Sequence, residues 1–276
     1  MTDVFNDDCK CKLYADDIKI YSILGNACNY VDIQGKLDEL QDWSNRWQRD
    51  ISYKKCNALL LSKKKEKPSL MLTVYDKQLP IVDTVKDLGV IIDNQLKFDA
   101  HVNNIVMRAH NIANLIHKCF VSKDPPTLMK AFLVYVRPVL EYVSCVWSPQ
   151  SVGLIKKIES VQRQFTKRFP CCRYLTYNDR LAKLNIDSLE LRRLRLDLVY
   201  MYKILFGLVV TDISDYFTLQ SANDYSATTR RGNPYKLLVN HCRTKKFFSV
   251  SASLKYGIAC HQVSLVLNHY HRLKIH

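Results

Sequence analysis

Lys12-Leu13-Tyr14-Ala15-Asp16-Asp17-Ile18-Lys19-Ile20-Tyr21-Ser22 is the stretch that decides how the first part of the chain folds. Leu13 and Ala15 alternate with Lys12 and Tyr14. Beyond the two aspartates, Ile18 and Ile20 alternate with Lys19 and Tyr21. A period of two on both sides of a short polar break predicts two strands with a turn at Asp16-Asp17. Neighbouring side chains on a strand face opposite ways, whereas a turn can bring carboxylates together. Mg²⁺ is a hard cation that takes oxygen ligands, so paired carboxylates suit it. In phosphoryl transfer, two metals about 3.5–4 Å apart activate the attacking oxygen and stabilise the leaving one. Such a site needs at least one more carboxylate from elsewhere in the fold. Taken alone, Asp-Asp describes a solvated turn more often than a metal site.

Outward from the turn, Val31 to Arg49 predicts a helix with Ile33, Leu37, Leu40, Trp43 or Ser44, and Trp47 at helical spacing. Both tryptophans read as core rather than as stacking platforms. Leu59 to Leu61 and Leu70 to Val74 read as strands around a solvated basic loop, Lys63 to Pro68, and Val85 to Asp93 as one further strand. From Asp99 onward the pattern is helical. Asp99 can cap a helix that presents Val102, Ile105, Val106, Ala109, Ile112, Ala113 and Ile116 on one face. Thr127 to Val136, Val152 to Phe169 and Tyr177 to Leu184 follow, with Pro138 disrupting the first of these. Ser188 to Phe206 can be capped by Ser188 and ended by Gly207, with Leu191, Leu194, Leu198, Met201 and Leu205 as its apolar stripe. The expected fold class is α+β: a small mixed part over 1–98, a helical part over 99–210, and an irregular region over 211–276.

With 276 residues and 47% hydrophobic composition the chain can bury a sizeable core. Its 41 basic residues against 26 acidic ones give +15, which points to an anionic partner, nucleic acid before a membrane surface. No run approaches the roughly 18 apolar residues of a membrane span, and no secretory leader opens the sequence. An intracellular protein of cytoplasm or nucleus, with reduced thiols, is expected. Of the 10 cysteines, Cys9 and Cys11 are close in sequence, and so are Cys171 and Cys172. They form no paired Cys-x-x-Cys knuckles, so buried small hydrophobes are the simpler reading.

Tyr14-Ala15-Asp16-Asp17 between two apolar β stretches resembles the catalytic turn of reverse transcriptases. More stretches, in the same order, are similar to non-LTR retrotransposon polymerases, jockey-like elements above all. They are Trp43 through Cys56, Lys86-Asp87-Leu88-Gly89-Val90-Ile91-Ile92-Asp93, Phe98-Asp99-Ala100-His101, and Tyr135-Val136-Arg137-Pro138-Val139-Leu140-Glu141-Tyr142. Trp147-Ser148-Pro149, Ile158-Glu159-Ser160-Val161-Gln162-Arg163 and Leu189-Glu190-Leu191-Arg192-Arg193 complete the set. The resemblance runs from about residue 12 to about residue 249. It implies a palm remnant followed by a helical thumb and connection, and an RNA-directed DNA polymerase as parent. That parent would use Mg²⁺, an RNA template and a DNA primer. Asp16 and Asp17 would be catalytic and metal-binding. Tyr14 and Ala15 would shape the nucleotide and primer-end side, and Lys55 would lie near the incoming triphosphate. Lys55 equally reads as a surface residue flanking a strand.

The family's other essential aspartate lies on a strand upstream of the turn, and Asp3, Asp7 and Asp8 do not match its motif. Fingers and endonuclease are also missing from the resemblance. The chain is therefore expected to be a C-terminal fragment that does not polymerise DNA alone. Beyond Ser249 the family's Trp-Asn-x-Leu-Pro motif is absent, but Tyr256 to Val263 can be encoded so that a shifted frame supplies it. A frameshift near residue 250 and a poorly packed end are expected.

At about 100° per residue, Lys156, Arg163 and Lys167 fall on one helix line, with Lys157 and Arg168 on its shoulder. Ile155, Ile158, Val161 and Phe165 take the opposite side. Such a face can track a template–primer backbone or simply meet water. Arg192, Arg193 and Arg195 have Glu190 and Asp197 nearby as expected partners. Competing readings are a non-catalytic nucleic-acid-binding module and a translated relic.

Overall fold

In the computed structural model the described residues are 10–24, 28–62, 71–122, 124–210 and 271–275. The chain divides into two compact units between Phe98 and Asp99, and the strand at 271–275 belongs to the first. Residues 211–270, the Lys63–Lys67 run and the expected frame change near 250 lie outside the described residues.

The alternation around the aspartates folds as a hairpin. β1 (Lys10–Tyr14) pairs antiparallel with β2 (Asp17–Leu24), and Tyr14 stands opposite Asp17. The turn therefore sits one residue earlier than expected: Ala15 and Asp16 form it, and Asp17 opens β2. Ala15 has φ 52°, the positive value that two-residue hairpin turns use at their first central position. α1 (Cys28–Arg46) buries Ile33, Leu37, Leu40 and Ser44. Trp43 is half-buried against this core, but Trp47 is 63% exposed, which corrects the core assignment for that residue. The helix ends at Arg46 and Gln48 takes φ 50°, so helical spacing no longer carries Trp47 to the inner face.

After a 3₁₀ turn at Tyr53–Lys55 come β3 (Ala58–Leu61), β4 (Thr73–Val74), β5 (Lys77–Gln78) and β6 (Ile81–Val82). The single strand expected over Val85 to Asp93 is instead a hairpin, β7 (Thr84–Asp87) and β8 (Val90–Asp93). Leu88 at φ 45° and Gly89 at φ 86° turn it, the pair of positive φ angles that a type I′ turn demands. β9 (His271–Ile275) lies between β2 and β3, antiparallel to both, so these five residues are not irregular. The resulting sheet has the order β1-β2-β9-β3-β6. α1 covers one face through Ile20, Ala58 and Leu60. Gln34 fixes β4 by donating to the Thr73 carbonyl at 3.1 Å and accepting from its N–H at 2.9 Å.

The second unit is helical. α2 (Asp99–Cys119) buries His101, Val102, Ile105, Ala109, Ala113 and Ile116. Asp124 caps α3 (Pro125–Ala131), accepting from the Thr127 N–H at 3.0 Å. The helix then widens into a π segment over Phe132–Val136 before α4 (Arg137–Glu141). Pro138 has no N–H to give to the preceding turn, and the wider ring just before it absorbs that defect. α5 (Ser144–Trp147) and α6 (Val152–Lys167) follow, then α7 (Tyr177–Leu184) and α8 (Leu189–Leu205). Phe132, Phe165 and Phe169 stack in the core, with centroids 4.7 and 5.5 Å apart. The buried face of α8 departs from the expected stripe. It consists of Leu189, Arg193, Leu194, Asp197, Met201 and Ile204, while Leu191 is exposed.

Candidate functional site

The hairpin turn forms one wall of a cavity of about 430 Å³ in the first unit. Ala15, Asp16, Asp17, Ile18 and Ile20 line it from the hairpin, Leu37, Leu40 and Trp43 from α1, and Arg49 to Ser52, Lys55 and Cys56 from the segment leading to β3. Its size lies within the range of about 300–1,000 Å³ typical of small-molecule sites. Asp16, Asp17 and Lys55 are all exposed, so their charges meet solvent. The floor is apolar, and burial pushes the Cys56 thiol up from its ordinary range. Cys56 donates to the Ser52 carbonyl at 3.3 Å and is a structural, not a reactive, sulfur.

Local folding explains why these groups converge. The two-residue loop holds Asp16 at the tip of the hairpin and leaves Asp17 as the first residue of β2. The 3₁₀ turn closes with Lys55 N–H to Ser52 O at 2.9 Å and Cys56 N–H to Tyr53 O at 3.0 Å. That turn carries Lys55 to the cavity just before β3 begins. On the other side, Ser44 in α1 bonds the Arg49 carbonyl and sits 2.9 Å from the Tyr75 hydroxyl, which fixes the approach of the 49–52 segment.

Of the residues expected at the site, Ala15, Asp16, Asp17 and Lys55 are brought together, whereas Tyr14 is 66% exposed and is not among the lining residues. The sequence reading missed Arg49 and Asp50 as lining residues: it placed Arg49 at the end of the helix, whereas α1 ends at Arg46. Their only sequence signal is a charge pair directly after an amphipathic helix. Among the described residues no group of three or more His, Cys, Asp or Glu side chains could hold a metal ion. Two exposed carboxylates can supply part of the shell of one Mg²⁺, with water completing it. They do not fit a two-metal centre, so no metal-dependent step is derived for this chain by itself.

On α6 and at its C-cap Arg168, the side chains of Lys156, Lys157, Arg163, Lys167 and Arg168 are all exposed, and Ile158, Val161 and Phe165 are buried opposite them. Among the described residues, Lys157 donates to Asn103 Oδ1 at 2.7 Å, and the Arg163 guanidinium lies 4.9 Å from the Tyr177 ring centre. Two of the α8 arginines are braced by residues other than those expected. Arg192 pairs with Glu141 of α4, its Nη2 donating to Oε2 at 3.0 Å, and Arg195 pairs with Asp187. Arg193 is buried, and burial lowers its pKa against the pull of Glu159, Glu190 and Asp197.

The chain is 23% identical over 178 residues to the probable RNA-directed DNA polymerase from transposon X-element of Drosophila melanogaster. It is distantly related to a reverse transcriptase. The match covers 62% of this chain and 19% of the Drosophila polymerase. An uncharacterized protein of Caenorhabditis elegans is 29% identical over 133 residues, 47% of this chain and 67% of that protein. No family model and no solved structure matches the chain. No helix among the described residues is long and apolar enough to cross a membrane.

Proposed function

We propose that this chain is the end of the palm together with the thumb and connection of a non-LTR, jockey-like reverse transcriptase. In the intact enzyme its Asp16-Asp17 turn would carry one half of a nucleotidyl-transfer site. The observation that carries this reading is the shared cavity: the aspartate turn, Lys55 and Arg49 line one space. Carboxylates on one wall suit a metal and cations on the other suit a triphosphate. In the intact enzyme Asp16 and Asp17 would hold part of the shell of Mg²⁺, which would supply positive charge for nucleotidyl transfer from a deoxynucleotide to a primer 3′ hydroxyl with release of pyrophosphate. The RNA template and DNA primer would be the partners.

A chimera tests the reading directly. The part of the X-element polymerase that precedes the matched region is fused to this chain and assayed for primer extension with Mg²⁺. Template-dependent synthesis is expected, abolished by Asp16→Asn and reduced by Lys55→Ala. A folded chimera that binds template–primer without extending it, or one indifferent to Asp16→Asn, would overturn the assignment.

A second reading, nucleic-acid binding without catalysis, is favoured by the exposed basic face of α6. It makes no demand on Asp16, so the same substitution separates the two.

A further inference from the structure

The first unit's sheet is completed from the far end of the sequence. β2 and β3 are each antiparallel to β9, so they run the same way on either side of a space one strand wide. Without β9, both strands would present an unpaired inner edge. Ile20, Ala58 and Leu60 on those edges are buried, where orphaned N–H and C=O groups are costly.

Register and sequence agree on what fills the space. Ile275 stands opposite Ile20 on one side and Ala58 on the other; Leu273 stands opposite Ser22 and Leu60. All four partners are buried. His271-Arg272-Leu273-Lys274-Ile275 alternates so that its apolar members take these positions and the basic members fall between. A slip of one residue would set Arg272 and Lys274 there instead, so the register is strongly specified.

The paired part of β9 stops level with Ile20 and Ala58, where Ile20 already lines the cavity. Beyond that level Asp17 and Ile18 on one side, and Lys55 and Cys56 on the other, line the cavity. Each step forward in the inserted strand moves one step back along β2. A strand in this register that ran three residues further would therefore come opposite Asp17.

We propose that the space between β2 and β3 is an acceptor site for one extended peptide strand of alternating apolar and basic residues. Residues 271–275 occupy it here, and a strand of the same pattern supplied in trans displaces them. This stands independently of the polymerase reading, because it rests on pairing and register alone.

Hydrogen exchange on the full chain tests it. Leu273→Pro removes a donor from the middle of the strand, where a central strand does not tolerate it. Protection of the β2 amides at 20–24 and the β3 amides at 58–61 should fall by about tenfold or more, the equivalent of one lost hydrogen bond. Adding a synthetic peptide of residues 267–276 should restore it, and a peptide with the alternation scrambled should not. If Leu273→Pro unfolds the whole first unit, restoration by the peptide is read from the β1–β2 amides. Unchanged protection in Leu273→Pro, or no restoration by the native peptide, would overturn the proposal.

Discussion

Asp197 lies 5% exposed on the inner face of α8, one turn beyond Arg193, and neither carboxylate oxygen has a hydrogen-bond partner among the described residues. Burial pushes its pKa up to about 7, against the opposing pull of Arg193. The sign follows from linkage. Between about pH 4 and pH 7 the folded chain holds a proton that the unfolded chain has released, so stability falls as pH rises through that window. Three pKa units correspond to about 4 kcal/mol at most. Thermal unfolding should therefore show a midpoint that drops from pH 5 to pH 8, and Asp197→Asn should flatten that dependence. Equal pH slopes in the two proteins would show that Asp197 is ionised throughout. Ala15 makes a separate case. Its φ of 52° costs an L-residue about 1–2 kcal/mol, a cost glycine escapes. Ala15→Gly should raise resistance to denaturant by up to about 1 kcal/mol; a loss would mean that the Ala15 methyl makes a packing contribution larger than the strain.

At the scale of elements, the hairpin β7–β8 and the helix α6 make opposite demands. The hairpin was read from sequence as one strand because apolar alternation continues on both sides of Leu88-Gly89. The break lies in the backbone angles, and leucine at the first turn position gives no turn signal. Leu88→Asn supplies the residue such a turn prefers, and should stabilise by roughly 0.5–1 kcal/mol in chemical denaturation; no gain would point to lost leucine packing. In contrast α2, α6, α7 and α8 were legible almost to their ends from their apolar periods, and Ser188 caps α8 as its position in the sequence indicates. What those periods could not show was which polar residues go inside. Glu159 is buried in α6 and its carboxylate accepts from Tyr177 Oη and from the Leu189 and Glu190 N–H groups, the latter two at 3.2 Å. There it meets the positive end of α8. Gln162 donates to Tyr177 Oη at 3.1 Å and to the Asp187 carbonyl at 3.0 Å. Glu141 holds Arg192, and Trp147 Nε1 donates to the Tyr142 carbonyl at 2.8 Å. Several stretches that carried the family resemblance are thus internal braces of the helical unit rather than a ligand surface. The exposed basic side of α6 is the face on which nucleic-acid binding is proposed. Lys156→Ala, Arg163→Ala and Lys167→Ala together should weaken a template–primer duplex without sequence preference. They should also make the slope of log affinity against log salt shallower by up to about three, close to one per lost phosphate contact. An unchanged slope would place those side chains away from the phosphates.

For the molecule as a whole, charge and chemistry lead to different outcomes. A formal charge of +15 favours binding to any polyanion, and does so without regard to whether a reaction follows. The hairpin made the aspartate pair legible in sequence, because a period of two flanks it on both sides. The cavity was less legible, because Arg49 reads as the end of the helix, whereas α1 ends at Arg46. The sheet was least legible, because its middle strand comes from residues 271–275, and long-range pairing of that kind leaves no local signal. Two-metal chemistry needs several oxygens fixed within a fraction of an ångström. Here two exposed carboxylates stand at a turn, and although Asp50 lines the same cavity, no group of three such side chains among the described residues could hold a metal ion. A lone Mg²⁺ held by such a pair keeps most of its water and has no partner ion to stabilise the leaving oxygen. The purified chain should therefore bind a template–primer duplex at low salt yet give no extension product with Mg²⁺ and all four deoxynucleotides. Both readouts belong in one experiment. Retention of the duplex with no product supports the split between binding and chemistry. Template-dependent product lost in Asp16→Asn would show that the turn finds its missing ligand within this chain, and that the half-site reading is wrong.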